Sequence, residues 1–178
     1  MQNAKRKLSG YSLSEVLVVM TAMGVLSSMG VVGFQRLVSY TRTKDAALNT
    51  ANFLEHIAHE ANRTSETMCI VKAPGDNRKI LVYQSDGTPG CHGTLAETLT
   101  LDPPNEFVDM SACGLDNTDD WLSGNKGEFV PHFGLSAAPR EGGVCIKGGG
   151  GTFGLAIKEK TVNAIKPRWK SGDEWQNL

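Results

Sequence analysis

The sequence predicts an α+β protein in which one long amino-terminal helix packs on an antiparallel β-sheet. First, twenty uncharged and mostly apolar residues run from Val16 to Gln35. Second, residues 34 to 66 contain no Pro or Gly, and apolar side chains recur there at spacings of three and four, as on one face of a helix. Third, from Thr67 onward short strand-like runs alternate with Gly, Pro, Asn and Asp, the residues typical of turns. This order of elements predicts a helix followed by a sheet.

The apolar run is long enough to cross a bilayer. A hydrocarbon core needs about twenty apolar residues at roughly 1.5 Å per helical residue. Lys5, Arg6 and Lys7 precede the run and mark the cytoplasmic side, so the rest of the chain is expected outside the inner membrane. Glu15 stands at the start of the run, where a carboxylate costs about 2 to 3 kcal/mol on insertion scales. Because of this cost, we expect the Glu15 carboxylate to have a function.

The amino-terminal residues carry a family signature. The basic leader is followed by Gly10, then the aromatic Tyr11, with Glu15 as the fifth residue after the glycine. This order resembles the prepilin signature of type IV pilins and type II secretion pseudopilins. The resemblance implies that prepilin peptidase cleaves between Gly10 and Tyr11 and methylates the new amino terminus. Val32 stands where many members carry a kinking Pro, which predicts a straighter helix. A plain signal anchor is the alternative interpretation of this segment.

The resemblance implies a division of the chain into four parts. Residues 1–10 would be the cleaved leader and residues 11–35 the transmembrane part of the helix. Residues 36–66 would continue the helix as an amphipathic segment, and residues 67–178 would form a periplasmic, β-rich domain. The protein would therefore be a single-pass bacterial inner-membrane protein that later enters a periplasmic or cell-surface filament.

The resemblance also extends to one branch of the family. The helix-to-strand passage, Phe53 to Arg63 followed by a Cys-Ile-Val strand, is similar to that of H-type minor pseudopilins and related minor pilins. It implies a structural subunit that assembles into or initiates a type IV pilus or a type II secretion pseudopilus. The implied partners are other pilins or pseudopilins, prepilin peptidase and the inner membrane. In the family the glutamate neutralises a neighbour's amino terminus, which gives Glu15 an assembly role. A major pilin subunit is an alternative.

Four cysteines lie in the segment predicted to be periplasmic. They are separated by 22, 22 and 32 residues, and they are Cys69, Cys91, Cys113 and Cys145. An even number in an oxidising compartment predicts two disulfides, for which the sequence leaves three pairings open. Metal binding is the weaker interpretation, because zinc sites need close pairs such as Cys-x-x-Cys.

The charge balance limits the possible partners. With 18 basic and 19 acidic residues, the net charge is −1, which argues against a general nucleic-acid-binding protein. A local basic concentration includes Lys166, Arg168 and Lys170. It makes a DNA-binding minor pilin for DNA uptake the alternative function, although a solvated strand edge explains the same residues more simply.

Other candidate sites are weak. No Ser/His/Asp or paired-acid constellation is present, so we do not expect an enzyme, and no cofactor is predicted. His56 and His59 lack the His-Glu-x-x-His pattern and fit a solvated helix face. The glycines from 148 to 151 lack the Gly-Lys-Ser/Thr of a phosphate loop and predict a flexible hairpin. A structural calcium ion is a minor candidate in the acidic region from Asp109 to Asp120, which does not fit an EF-hand; its acids are Asp109, Asp116, Asp119 and Asp120.

Overall fold

The computed structural model of the chain describes residues 12–88, 91–114, 120–123, 127–131, 134–135, 142–157, 166–171 and 174–177. They form a helix α1 (Leu13–Thr64), a short 3₁₀ helix (Met110–Cys113) and ten strands. The strands are β1 (Met68–Lys72), β2 (Lys79–Ser85), β3 (Gly93–Thr100), β4 (Glu106–Val108), β5 (Gly127–Val130), β6 (Gly134–Leu135), β7 (Gly142–Gly148), β8 (Gly151–Ile157), β9 (Lys166–Ser171) and β10 (Glu174–Asn177). The α+β class is confirmed.

The strands form two antiparallel sheets where the sequence had predicted one. The first has the order β3-β2-β1-β5-β6, and the second has the order β10-β9-β8-β7-β4. β1 and β2 form a hairpin, with Ile70 opposite Val82 and Val71 opposite Leu81. The sequence patterns indicated a series of short strands after Thr67. They gave no information on pairing, which depends on contacts between distant segments.

The chain divides into two compact units, Met1–Leu37 and Val38–Leu178. In the first unit, the described large apolar side chains of α1 are all exposed, from Leu13 at 82% to Leu37 at 62%. Among the residues that the structure describes, no helix has both the length and the hydropathy needed to cross a membrane. The predicted span of residues 11–35 includes Tyr11 and the side chains at 28–30 and 32, which lie outside the described set.

The core of the second unit lies between the later part of α1 and both sheets. The predicted apolar stripe of the helix is buried: Ala47 and Leu54 are fully inaccessible and Ile57 is 1% exposed. It packs in one cluster with residues from the first sheet, Ile70, Ile80 and Val82, and from the second sheet, Val144, Ile146, Phe153 and Leu155. The stripe therefore contributes both small alanines and larger apolar side chains to one core shared with both sheets.

The turn between β7 and β8 is packed tightly against α1, which corrects the prediction of a flexible hairpin. A Cβ atom added at Gly150 would overlap backbone atoms of Tyr40. One added at Gly148 would overlap the side chains of Thr43 and Asn105, both buried. Glycine is required here for the close approach of two backbone segments, and Tyr40 also contacts Phe153 with ring centroids 5.7 Å apart. The turn therefore joins the second sheet to the helix.

We predict that Gly150→Ala destabilises the protein by about 1 to 3 kcal/mol, because the helix backbone at Tyr40 cannot move aside for the methyl group. Gly149→Ala is the matched control, since its methyl group would meet mainly the hydroxyl of Ser39, which can rotate away. Urea unfolding of both variants measures the difference. Equal stabilities would contradict the tight packing of this turn.

Candidate functional site

Glu15 begins the helix in a reciprocal cap with Ser12. The backbone N–H and the hydroxyl of Ser12 both donate to Glu15 Oε2, at 2.9 and 3.1 Å. In return, the backbone N–H of Glu15 donates to Ser12 Oγ at 3.3 Å. A helix leaves its first N–H groups without intrahelical partners, and this arrangement, the capping box, satisfies two of them. Glu15 therefore has a structural role within its own chain.

This cap was not predicted from the sequence, although its signal is present there. Ser12-Leu13-Ser14-Glu15 matches the pattern of a capping box, in which Ser or Thr is followed three residues later by Glu or Gln. The carboxylate also lies in the first turn, where the helix dipole favours a negative charge. Gly10 and Tyr11, the predicted processing residues, lie outside the described residues.

Thr21, further along the helix, has a hydroxyl that is hydrogen-bonded within the helix. Its Oγ1 donates to the backbone carbonyls of Leu17 and Val18, at 3.1 and 2.8 Å. A hydroxyl bonded in this way can lie in an apolar medium without an unpaired donor.

Beside Gly24 and Gly33 there is open space, since no atom lies within 4 Å of an added Cβ. Another helix could approach closely at these positions.

The four cysteines form two disulfides, as predicted, and the structure selects one of the three pairings. Cys69 pairs with Cys91, with Cα atoms 5.4 Å apart, and links β1 to the segment before β3. Cys113 pairs with Cys145, with Cα atoms 6.1 Å apart, and links the 3₁₀ helix to β7. Both distances lie in the usual range for disulfides. Among the described residues no cysteine is free.

We predict that non-reducing peptide mapping finds the Cys69–Cys91 and Cys113–Cys145 linkages. Trypsin alone leaves Cys91 and Cys113 in one peptide, so a second protease that cuts at Asp is needed between them. A reduced sample is the control, in which the linked masses should disappear. A Cys69–Cys113 or Cys91–Cys145 linkage would contradict the pairing.

The acidic region contains one buried carboxylate. Asp120 is 4% exposed, and its Oδ1 accepts a hydrogen bond from the backbone N–H of Leu122 at 2.9 Å. Burial, with a smaller effect of Asp109, raises the pKa of the Asp120 carboxyl above its ordinary value. Asp109 is exposed and lies 3.8 Å from the Lys72 ammonium. Asp116 and Asp119 lie outside the described residues.

Metal-binding geometry is not found in the described part of the chain. There, no group of three His, Cys, Asp or Glu side chains is placed to hold a metal ion. His56, on the exposed face of α1, is 3.3 Å from Glu97 Oε1 on β3, a contact between two elements of the second unit. Such an exposed pair contributes roughly 0 to 1 kcal/mol.

Asp120→Asn should stabilise the protein at neutral pH. A carboxyl with a raised pKa binds its proton more tightly in the folded than in the unfolded chain. Its contribution to the free energy of unfolding is therefore greatest below the unfolded pKa of about 3.9 and is lost as pH rises through the folded value. Asparagine stays neutral and keeps the Oδ1 acceptor. The gain should thus be present at pH 7 and absent at about pH 3, as measured by urea unfolding.

Asp109→Asn is the control, because this exposed carboxylate should change stability by less than about 1 kcal/mol. An Asp120→Asn variant that is less stable than the wild type at pH 7 would contradict the prediction. If added Ca²⁺ raised the Tm of the wild type but not of this variant, a calcium site would be supported instead.

The basic residues near the carboxyl end lie on β9, between β8 and β10. β9 is therefore an inner strand, and the interpretation of these residues as a solvated strand edge is wrong. The side chains of Lys166, Arg168 and Lys170 lie outside the described set. In the register, Lys170 lies opposite Trp175, whereas Phe153 of the core lies opposite Trp169.

Comparisons of the chain with protein families, with curated proteins and with solved structures find no match.

Proposed function

We propose that the chain is a minor pilin or pseudopilin, a structural subunit that assembles into or initiates a filament through its amino-terminal helix. The observation that carries the proposal is the position of Glu15. This carboxylate begins a helix whose described large apolar side chains are exposed through Leu37. In the prepilin signature, which the sequence resembles, an acid occupies the corresponding place after the processing glycine.

The exposed apolar side chains of the first unit require a partner surface. Monomeric soluble proteins rarely expose a contiguous apolar area larger than a few hundred Å². The exposed side chains continue around the helix without a polar face, since Val16, Leu17, Val18 and Val19 are all exposed. Lipid would cover them before assembly, and the helices of other subunits would cover them in a filament. The internal hydrogen bonds of Thr21 are compatible with both environments.

Charge pairing would set the register between subunits. Cleavage after Gly10 would give Tyr11 a positive amino group, and Glu15 of an adjacent subunit would accept it. In a medium of low dielectric constant this attraction is much stronger than in water, while an unpaired charge would be costly. A head-to-tail contact of this kind does not close on itself, so it propagates as a helical filament. Two disulfides in the second unit fit folding in the oxidising periplasm.

We predict that the protein from cells with an active prepilin peptidase begins with a methylated Tyr11, and that Gly10→Val blocks this processing. The branched side chain would not fit a peptidase site that accepts glycine. Intact-mass spectrometry of the membrane fraction measures both results. Ser9→Val is the matched control, because it leaves Gly10 unchanged and should be processed normally. A wild-type protein that keeps its leader in such cells would overturn the proposal.

A further inference from the structure

We infer that Ser12 is a positioning residue, which holds Glu15 by one carboxylate oxygen and leaves the other for the positive group of a neighbouring subunit. This inference rests on the proposed function, because it concerns the same carboxylate. It adds a residue for which the prepilin resemblance gave no role.

The hydrogen bonds of Glu15 are divided unequally between its two oxygens. Both donors of Ser12, the N–H and the hydroxyl, contact Oε2. Within the described residues, Oε1 has no hydrogen bond or ion pair. An ionised carboxylate has about four lone-pair positions, so Oε1 can accept further hydrogen bonds while Oε2 stays with Ser12. An ammonium group is the complementary donor, because it carries three N–H bonds and a positive charge.

Two bonds to one oxygen also restrict the side chain. A free glutamate on a helix surface samples many rotamers and loses that freedom when it binds a partner. Because Ser12 holds Oε2, part of that loss has already occurred in the single subunit, and binding the cation requires less ordering. The Ser12 hydroxyl is itself held by Ser14, with the two Oγ atoms 2.9 Å apart. The three side chains therefore form one hydrogen-bonded group.

Apart from the amino group that cleavage would give Tyr11 of the same chain, the neighbouring sequence offers no competing cation. From Ser12 to Gln35 the chain contains no Lys, Arg or His. Two apolar residues near Glu15 are exposed, Leu13 at 82% and Val16 at 48%. When lipid or other helices cover these side chains, water is displaced from around Oε1. The loss of hydration then favours pairing with an amino group that arrives with another subunit.

A role of Ser12 in helix capping alone makes a different prediction. The hydroxyl also accepts the backbone N–H of residue 15, and that bond does not need a carboxylate. If capping alone mattered, Ser12→Ala would weaken association by the same factor whether residue 15 is Glu or Gln. If Ser12 acts by positioning the carboxylate, its replacement should have little effect once Glu15→Gln has removed the charge.

The experiment measures association of the processed full chain in lipid vesicles. Protein from cells with prepilin peptidase would carry a donor or an acceptor fluorophore behind Leu178, and energy transfer would be followed as lipid dilutes the protein. We expect Ser12→Ala to lower the association constant about tenfold, the size expected for one hydrogen bond to a charged group. Ser12→Thr keeps both donors and should associate like the wild type. Thr21→Ala is the matched control, since it removes a hydroxyl that bonds only to its own helix.

The outcomes separate the two proposals. If Glu15→Gln weakens association but Ser12→Ala does not, the assembly role of Glu15 stands and the role of Ser12 is wrong. If Ser12→Ala acts equally strongly in the Glu15→Gln background, Ser12 only caps the helix, and the inference fails. If Glu15→Gln associates like the wild type, both the inference and the charge-pairing part of the proposed function are overturned.

Discussion

The burial of one helical stripe between two sheets is the interaction on which the second unit depends. Ala47, Leu54 and Ile57 of α1 lie in one apolar cluster with strands of both sheets. The apolar face of a sheet must be buried against another element, and here α1 contributes to the core of both sheets. The two disulfides link segments of this unit. The β7–β8 turn packs against α1 at Tyr40, near the point where the helix enters the unit. The helix is therefore the common support of both sheets.

Threonine hydroxyls on α1 are hydrogen-bonded in the same way in both units. Thr43 and Thr50 are buried, and each hydroxyl donates to a backbone carbonyl four residues earlier, at 3.0 and 2.8 Å. Thr21 does so in the first unit. A hydroxyl that bonds to its own helix needs no partner on another element. Small polar residues can therefore lie on apolar faces of α1 without determining what packs there.

The sequence predicted features that depend on local pattern, and it failed where distant segments meet. The stripe at Ala47, Leu54 and Ile57 follows from helical periodicity, and the presence of two disulfides follows from an even number of cysteines. The division of the strands into two sheets and the choice among three disulfide pairings depend on tertiary contacts that no local pattern contains. The tight packing of Gly150 was missed for the same reason, since a run of glycines fits a loose turn equally well. The capping box of Glu15 was a different failure, because its pattern was local and a functional interpretation of the acid took its place.

These two interpretations of Glu15 are compatible, because they use different oxygens of the same carboxylate. The cap needs Oε2, and an approaching cation needs a lone pair that the cap leaves unoccupied. A helix dipole already favours a negative charge at this position, so the cap and the dipole both lower the cost of keeping Glu15 ionised in the absence of the proposed partner. An acid placed further along the apolar helix would have neither aid, because the backbone N–H groups there are already bonded within the helix. The first turn is therefore the place on such a helix where an ionised acid, such as the one proposed to act in assembly, is least costly.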